Sequence, residues 1–401
     1  MSSPLKGIPL SHLVEVNPKD FPACNPVPYV GMEDVSEDGR LLRIGPRDRG
    51  AISPGQPTFS DGDILFAKIT PCMENGKGAL VSGLGGRVAQ GSTEFHVLRA
   101  RRGAHPNFVY QWTRTPLLRR AAAAMMTGSA GQRRVPSEFF AKFEVPGFSL
   151  EEQRRIAEIL DALDARIRCQ DQLIAKLVAV QQGLESSLLD MPDIPSESLA
   201  NYLASSPKNG YSPKEVDEWT GMVALGLGCL TANGFQPRQL KNVPSGDSRN
   251  VGAVLRDGDL LMSRANTREL VGLVGIYKDV GHDCIYPDLM MRLTPTKRCR
   301  VGYLELVLRS SAVRRQIQGM AQGTSESMVK ISSSIVQDLK VQIPDLAVQD
   351  RILEVVDAAR ARRDAEEAVR DGLLRLKAGL AEDLLTGRVR VPEAEAVVES
   401  L

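Results

Sequence analysis

Apolar residues recur in steps of three and four over two long stretches of the chain. From Ile156 the steps run through Leu160, Leu163, Ile167, Gln170, Ile174, Leu177, Gln181, Leu184 and Leu188, and eight of these ten positions are apolar. That is the seam of a coiled coil. Ser149 and Glu152 stand three apart just before it, as a capping box that satisfies the free N–H groups of a first turn. Pro192 and Pro195 end the pattern. The second seam runs through Ile352, Val355, Ala359, Arg362, Glu366, Val369, Leu373, Leu376 and Leu380, with Gly387 as its stop. Arg362 and Glu366 interrupt it and are spaced to pair at i,i+4. A helix of about 40 residues, rising about 1.5 Å each, is a rod of about 60 Å. Neither helix can cover its own apolar stripe. The two are predicted to pair, and the globular sequence that returns the chain between them makes the pair antiparallel.

Before each helix the period changes from helical to mixed. Asp61-Gly62-Asp63 reads as a turn and residues 64–69 as a strand. Residues 94–98 read as another strand, echoed by 289–293, and helices are predicted over 107–126 and 303–321. These segments repeat. The run starting at Asp61 returns at Asp257, an offset of 196, with identities at Asp61/Asp257, Gly62/Gly258, Asp63/Asp259, Leu65/Leu261 and Gly76/Gly272. Arg114, Arg119, Arg120 and Gly128 align with Arg309, Arg314, Arg315 and Gly323 at an offset of 195. Gln153, Arg155 and Ile156 match Gln349, Arg351 and Ile352, again at 196. An ordered series of this kind means one module written twice, each copy a globular part followed by a long helix.

The total charge of +1 conceals an alternation: +5 over residues 1–149, −3 over 150–190, +2 over 191–346 and −3 over 347–401. The two globular parts are basic and able to meet phosphate. No apolar run is long enough to span a membrane, and the N-terminus lacks an apolar signal core, which places the protein in the cytoplasm. The six cysteines form no C-x-x-C pair and read as reduced thiols.

Catalytic vocabulary is missing. The four histidines, His12, His96, His105 and His282, have no zinc-site context. No phosphate-cradling loop of the G-x-x-x-x-G-K-[ST] type and no G-x-S-x-G elbow occurs. Asn25-Pro26-Val27-Pro28-Tyr29 imitates the N-P-P-Y motif of amino-methyltransferases. The inserted valine, and the lack of a glycine-rich cofactor loop, make it a proline-rich approach to a strand. Neither a metal nor a cofactor is expected.

What remains is the vocabulary of DNA contact. Lys68, Thr70, Asn75 and Lys77 lie just past a predicted strand, and Arg264, Asn266, Thr267 and Arg268 fall at nearly the same place in the second copy. Gln132, Arg133 and Arg134 form a second set, echoed by Ser327 and Lys330. Arg, Lys and Asn are the side chains that bond base edges or phosphates. Two loops that share a position but differ in sequence suit one scaffold with two specificities.

Three runs carry a family resemblance: Gly62 to Gly78, Gly91 to Leu98 (G-S-T-E-F-H-V-L, which adds Thr93 to the candidate contacts), and Pro146 to Leu160. With the closing run from Leu380 to Val391, the chain resembles the specificity subunits of Type I restriction-modification systems. The resemblance implies an α+β protein with two similar target-recognition domains, residues 1–149 and 191–346. A central spacer helix (150–190) and a C-terminal spacer helix and tail (347–401) would form an antiparallel coiled coil with a pseudo-twofold. It implies a non-catalytic chain that reads a bipartite, asymmetric site in double-stranded DNA. Two methyltransferase subunits would supply S-adenosylmethionine and adenine methylation, and motor-nuclease subunits would join for restriction. Arg155, Arg166, Arg351 and Arg362 on the helices are the candidate partner contacts. The second copy replaces the first copy's P-C-x-E-N-G-K by Asn266-Thr267-Arg268-Glu269-Leu270-Val271, in keeping with a different target. A coiled-coil adaptor for protein partners, without DNA reading, explains the helices but not the basic loops at matched positions. A stand-alone nuclease or methyltransferase lacks its residues.

Overall fold

The computed structural model describes residues 5–48, 55–129, 131–323, 326 and 328–391. The chain divides into two compact units: Met1–Gln172 with Ala368–Leu401, and Leu173–Glu367.

In the first unit one antiparallel sheet has the order Val14–Val16, Phe95–Ala100, Ile64–Ala67, Gly78–Leu80. A second sheet has the order Gly45–Arg47, Val27–Val30, Ala89–Gly91, Thr58–Phe59, with a parallel pair at its centre. The strand Ile64–Ala67 is buried at every residue because it is covered on both faces. Its alternation assigns the sides. Ile64 and Phe66 enter the core beneath the helices, while Leu65 and Ala67 enter a separate core against the second sheet. Full burial of such side chains is worth about 1.5–3 kcal/mol each, so the strand is a rigid base for whatever follows it.

The second unit repeats this plan. Its first sheet runs Lys208–Asn209, Met290–Leu293, Leu260–Ser263, Val274–Ile276, and its second runs Leu240–Asn242, Met222–Leu225, Asp283–Ile285, again with one parallel pair. Leu260 and Met262 face the helix-side core, and Leu261 faces the other. The repeated glycines have a backbone cause. Gly76 has φ +92° and Gly272 φ +73°. A Cβ would stand 2.6 Å from the Glu37 carbonyl oxygen at Gly76, and 2.5 Å from Ile317 Cγ2 at Gly272.

Two predicted helices are each broken in two. Residues 107–126 form α1 (Pro106–Arg114) and α2 (Pro116–Ala124). Pro116 has no N–H to continue α1, and Thr115 turns extended and caps α2 by accepting from the Leu118 N–H. A short α3 (Phe139–Lys142) and the long α4 (Leu150–Leu189) follow. Residues 303–321 form α5 (Val301–Arg309) and α6 (Ser311–Met320). No proline breaks this pair. Ser310, extended at ψ 148°, accepts from the Val313 N–H and serves as the N-cap of α6. Then come α7 (Ser333–Asp338) and α8 (Leu346–Thr386).

The Ser149–Glu152 capping box is formed in both directions, and Gly387, at φ +75°, follows the last residue of α8. The two long helices run antiparallel within each unit. In the first, Lys377 Nζ meets Asp164 at 2.6 Å and Arg390 meets Glu152 at 3.2 Å. In the second, Arg363 donates to Gln181 Oε1 at 3.1 Å, and Arg360 lies 3.8 Å from Glu185. The α4 seam faces inward as expected, with Ile156, Leu160, Leu163, Ile167 and Ile174 buried. The α8 seam holds at Ile352, Leu373 and Leu380, which are buried, and is displaced between them. Val355 and Val369 are exposed at 45% and 47%, and Arg362 is exposed, whereas Val356 and Leu384 are completely buried. The step after Ile352 is four residues rather than three, which turns Arg363 toward α4. Arg362 pairs with Glu366 at 2.5 Å, as its spacing predicts.

Candidate nucleic-acid interface

In the first unit the candidate residues are gathered by one backbone frame beyond the strand Ile64–Ala67. The Lys68 N–H donates to the Glu94 carbonyl at 2.9 Å, and the Lys68 carbonyl accepts from Val135 N–H at 2.9 Å. The Thr70 N–H donates to the Arg133 carbonyl at 3.0 Å, and Arg134 exchanges both backbone bonds with Thr127. Lys68, Thr70, Arg133 and Arg134 are thereby brought together on a fixed ladder rather than on a free loop, and Thr93 precedes Glu94 in the chain.

The second unit builds the same frame. The Arg264 N–H donates to the Leu289 carbonyl at 2.8 Å, and its carbonyl accepts from Ile331 N–H at 3.0 Å. Lys330 exchanges both backbone bonds with Gln322. Arg264 therefore occupies the place of Lys68, and Lys330 that of Arg134. Ser327, the other expected echo, lies outside the described residues.

The side chains divide by what they touch. Lys68 is half-buried between Glu94 and Arg134. Burial pushes its ammonium below the usual pKa, the Glu94 carboxylate opposes that shift, and Arg134 adds to it. Arg134 lies against Glu94 through two nitrogens at 2.9 Å, and Arg133 pairs with Glu74 at 3.1 Å. Gln132 and Thr93 are exposed. The Thr70 hydroxyl makes a long contact to the Met126 sulfur, 3.8 Å. Asn75 donates to Glu37 Oε1 at 3.0 Å, and Lys77 Nζ donates to the Met32 carbonyl at 2.9 Å. In the second unit Asn266 Oδ1 accepts from the Thr267 N–H at 2.8 Å. Arg268 is drawn into the fold: it grips Glu326 at 2.6 and 3.0 Å and donates to the Gln318 and Ala321 carbonyls.

Sequence reasoning missed the residues that hold these loops. Arg119 Nη1 donates to the Met73 carbonyl, and its guanidinium lies over the Phe66 ring at 5.2 Å. Arg314, its counterpart, donates to the carbonyls of Val271 and Glu269. Arg114 reaches the Gly76 and Glu37 carbonyls, and Arg309 the Ala232 carbonyl. The signal was present, since all four arginines fall in the repeat, but nothing in the chain names a carbonyl acceptor. The repeated aspartates are likewise scaffold: Asp63 pairs with Arg99 at 2.6 Å, and Asp259 with Arg292 at 3.1 Å.

His96 is buried under the ladder. Asn17 Oδ1 accepts from the Val97 N–H at 3.0 Å, which turns its amide nitrogen toward His96 Nδ1 at 3.2 Å. His96 Nε2 then donates to the Val135 carbonyl at 2.8 Å. This assigns a neutral ring protonated at Nε2, and burial holds its pKa below the ordinary value.

On the helices, Arg166, Arg351 and Arg362 are exposed and Arg155 is half-buried. Each unit also carries a cleft at corresponding places. One, about 490 Å³, lies between the α1–α2 junction and the end of α8 and is lined by Leu117, Arg120 and Leu385. The other, about 690 Å³, lies between the α5–α6 junction and the end of α4 and is lined by Ala312, Arg315 and Leu189. Among the described residues no group of three His, Cys, Asp or Glu is gathered for a metal ion, and no helix is long and apolar enough to cross a membrane.

Residues 55–179, which include the first ladder's Lys68, Glu94 and Arg134, match the family model described as the Type I restriction modification DNA specificity domain. Over part of its length the chain is similar to the specificity subunits of Type I restriction enzymes. It is 37% identical over 196 residues to the specificity subunit of the Type I restriction enzyme EcoEI of Escherichia coli, covering 46% of this chain and 32% of that protein. It is 36% identical over 152 residues to the EcoAI specificity subunit of Escherichia coli, covering 35% and 24%. The EcoKI specificity subunit of Escherichia coli strain K12 is 24% identical over 247 residues, covering 57% and 53%. The chain thus spans between about a quarter and about half the length of these curated relatives. Two solved structures share the fold. A chain from a study of type I R-M complex assembly and conformational transition gives a TM-score of 0.62 at 20% identity, covering 97% of this chain and 99% of that one. The Type-I restriction-modification S subunit from M. genitalium gives 0.54 at 13% identity, covering 95% and 96%.

Proposed function

We propose that this chain is the non-catalytic DNA-reading subunit of a Type I restriction-modification complex. It reads a bipartite, asymmetric site in double-stranded DNA and directs adenine methylation and restriction by its partners. The observation that carries this reading is the ladder found twice, with Lys68 and Arg134 in one copy and Arg264 and Lys330 in the other. An identical backbone with different cationic side chains is what two half-sites of different sequence require.

In this reading residues 1–149 and 191–346 are the two target-recognition domains, and 150–190 with 347–401 form the spacer. Lys68, Arg134, Arg264 and Lys330 stand at the centre of the contacts, with Thr70, Thr93, Gln132, Arg133, Asn266 and Thr267 around them. Asn75, Lys77 and Arg268, already bonded within the fold, set the shape of the loops. Two methyltransferase subunits dock at the two matched clefts, with Arg155, Arg166, Arg351 and Arg362 facing the same partners. Motor-nuclease subunits complete the restriction complex.

The experiment is a genome-wide map of methylated adenines in the host with and without this gene. One bipartite motif should lose its methylation when the gene is deleted. An unchanged methylation map overturns the reading.

A further inference from the structure

The first ladder contains a carboxylate that a phosphate-binding surface would not want. Glu94 lies between two cations, and its counterpart in the second ladder is Leu289, at the same backbone position. We propose that Glu94 is a positioning residue that aims Arg134 at a guanine in the half-site read by the first copy, while Lys330, unaimed, meets phosphate in the other. This rests on the DNA-reading function above.

The geometry comes from the donors of one guanidinium. Arg134 has five N–H groups. Glu94 takes the Nε–H and one from Nη2, both at 2.9 Å. The Gln132 carbonyl takes one from Nη1 at 3.1 Å. Among the described residues two donors remain, one on each terminal nitrogen. That end-on pair matches the O6 and N7 acceptors on the major-groove edge of guanine. The Arg134 backbone is fixed by its two bonds to Thr127, 2.8 and 3.0 Å, so both ends of the side chain are held. Its side chain is still 42% exposed, leaving the free edge open to a partner.

Charge favours a base over a phosphate. Taken by itself the Glu94–Arg134 pair has no net charge, so the guanidinium gains little from a polyanion and the carboxylate would repel a phosphate there, while the cluster's remaining positive charge is that of Lys68. A base edge needs directed donors rather than charge. In the second ladder, among the described residues, no carboxylate is paired with the exposed Lys330, and an ammonium on a flexible stem acts as a point charge.

The test selects binding sites from a randomised duplex library, using the full-length chain copurified with its methylating partner. The variants are Glu94→Leu, which copies the second ladder, and Arg134→Lys. Each should lose a guanine preference of roughly 5- to 150-fold at one position of one half-site. The double variant should lose no more than either single one, because the two residues act as a unit. The other half-site, read by the same molecule, is the internal control for folding and should keep its full preference. Glu94→Leu with an unchanged preference at every position overturns the proposal. So does an Arg134→Lys variant that weakens binding to all sequences alike. A wild-type chain that selects no sequence at all overturns the DNA-reading function itself, a different failure.

Discussion

Gln153 and Gln349 make the same junction in the two copies. Each is completely buried. Gln153 Oε1 accepts from the His105 N–H at 3.0 Å, and its Nε2 donates to the Phe148 carbonyl at 3.0 Å. Gln349 Oε1 accepts from the Arg300 N–H at 2.7 Å, and its Nε2 donates to the Pro344 and Arg298 carbonyls. One amide thus ties the start of a long helix to the start of the helix that braces the ladder. Gln153→Leu strands a buried N–H and a buried carbonyl, each worth about 1–3 kcal/mol unpaired. We expect the first unit to lose about 2–4 kcal/mol. Hydrogen exchange should quicken at the His105 amide and stay unchanged at Arg300.

His96 gives the first unit a pH dependence of defined sign. Asn17, donating to Nδ1, holds its neutral form, and the Val135 carbonyl fixes the ring by accepting from Nε2. Burial lowers the folded pKa below the ordinary 6.5; Lys68 adds to the lowering, while Val135, Glu138 and Glu94 oppose it. A lowered histidine pKa means that the unfolded chain binds the proton more readily. Stability from this group is therefore complete above about pH 6.5 and is lost as pH falls from there through the folded value. Denaturation midpoints should decline more steeply between pH 7 and 5 in the wild type than in His96→Gln. Equal slopes would show that the ring does not titrate in this range.

Lys68 and Arg264 occupy one position in two ladders, so their alanine variants form a matched pair. If Lys68 meets phosphate, Lys68→Ala weakens binding to all sequences and reduces the salt slope by about one. If it meets a base, one half-site is relaxed. We expect Arg264→Ala to alter only the other half-site, measured by competition binding at several salt concentrations.

The matched clefts predict the stoichiometry of the complex. Leu117 lines one and is 45% exposed, and Ala312 lines the other. Leu117→Glu and Ala312→Glu should each remove one methyltransferase subunit. The complex mass should fall by one subunit in either single variant and by two in the double variant.

The spacer role predicts a change of length. Four residues, just over one turn and about 6 Å long, inserted after Leu177 and opposite it in α8 correspond to about one to two base pairs. The methylated motif should gain that many unspecified positions between its half-sites. An unchanged motif would count against helices that measure distance.

Much of the architecture is local and was therefore legible in the sequence. The repeat, the capping box at Ser149, the turn glycines and the α4 seam all depend on a residue and its near neighbours. So does the Arg362–Glu366 pair. The tertiary structure decided what depends on distant partners. A step of three or four after Ile352 is equally helical, so the sequence could not say that Val356 rather than Val355 turns inward. That choice depends on which residues α4 presents. Ser310 ends a helix without a proline by turning extended and capping α6 with its own side chain. Arg114, Arg119, Arg309 and Arg314 were visible as repeated positions without a role, yet each is spent on a backbone carbonyl, and a carbonyl has no letter in the sequence. Glu94 read as the first residue of a strand. Only the ladder, by bringing residues 40 positions apart into register, made it the partner of Arg134.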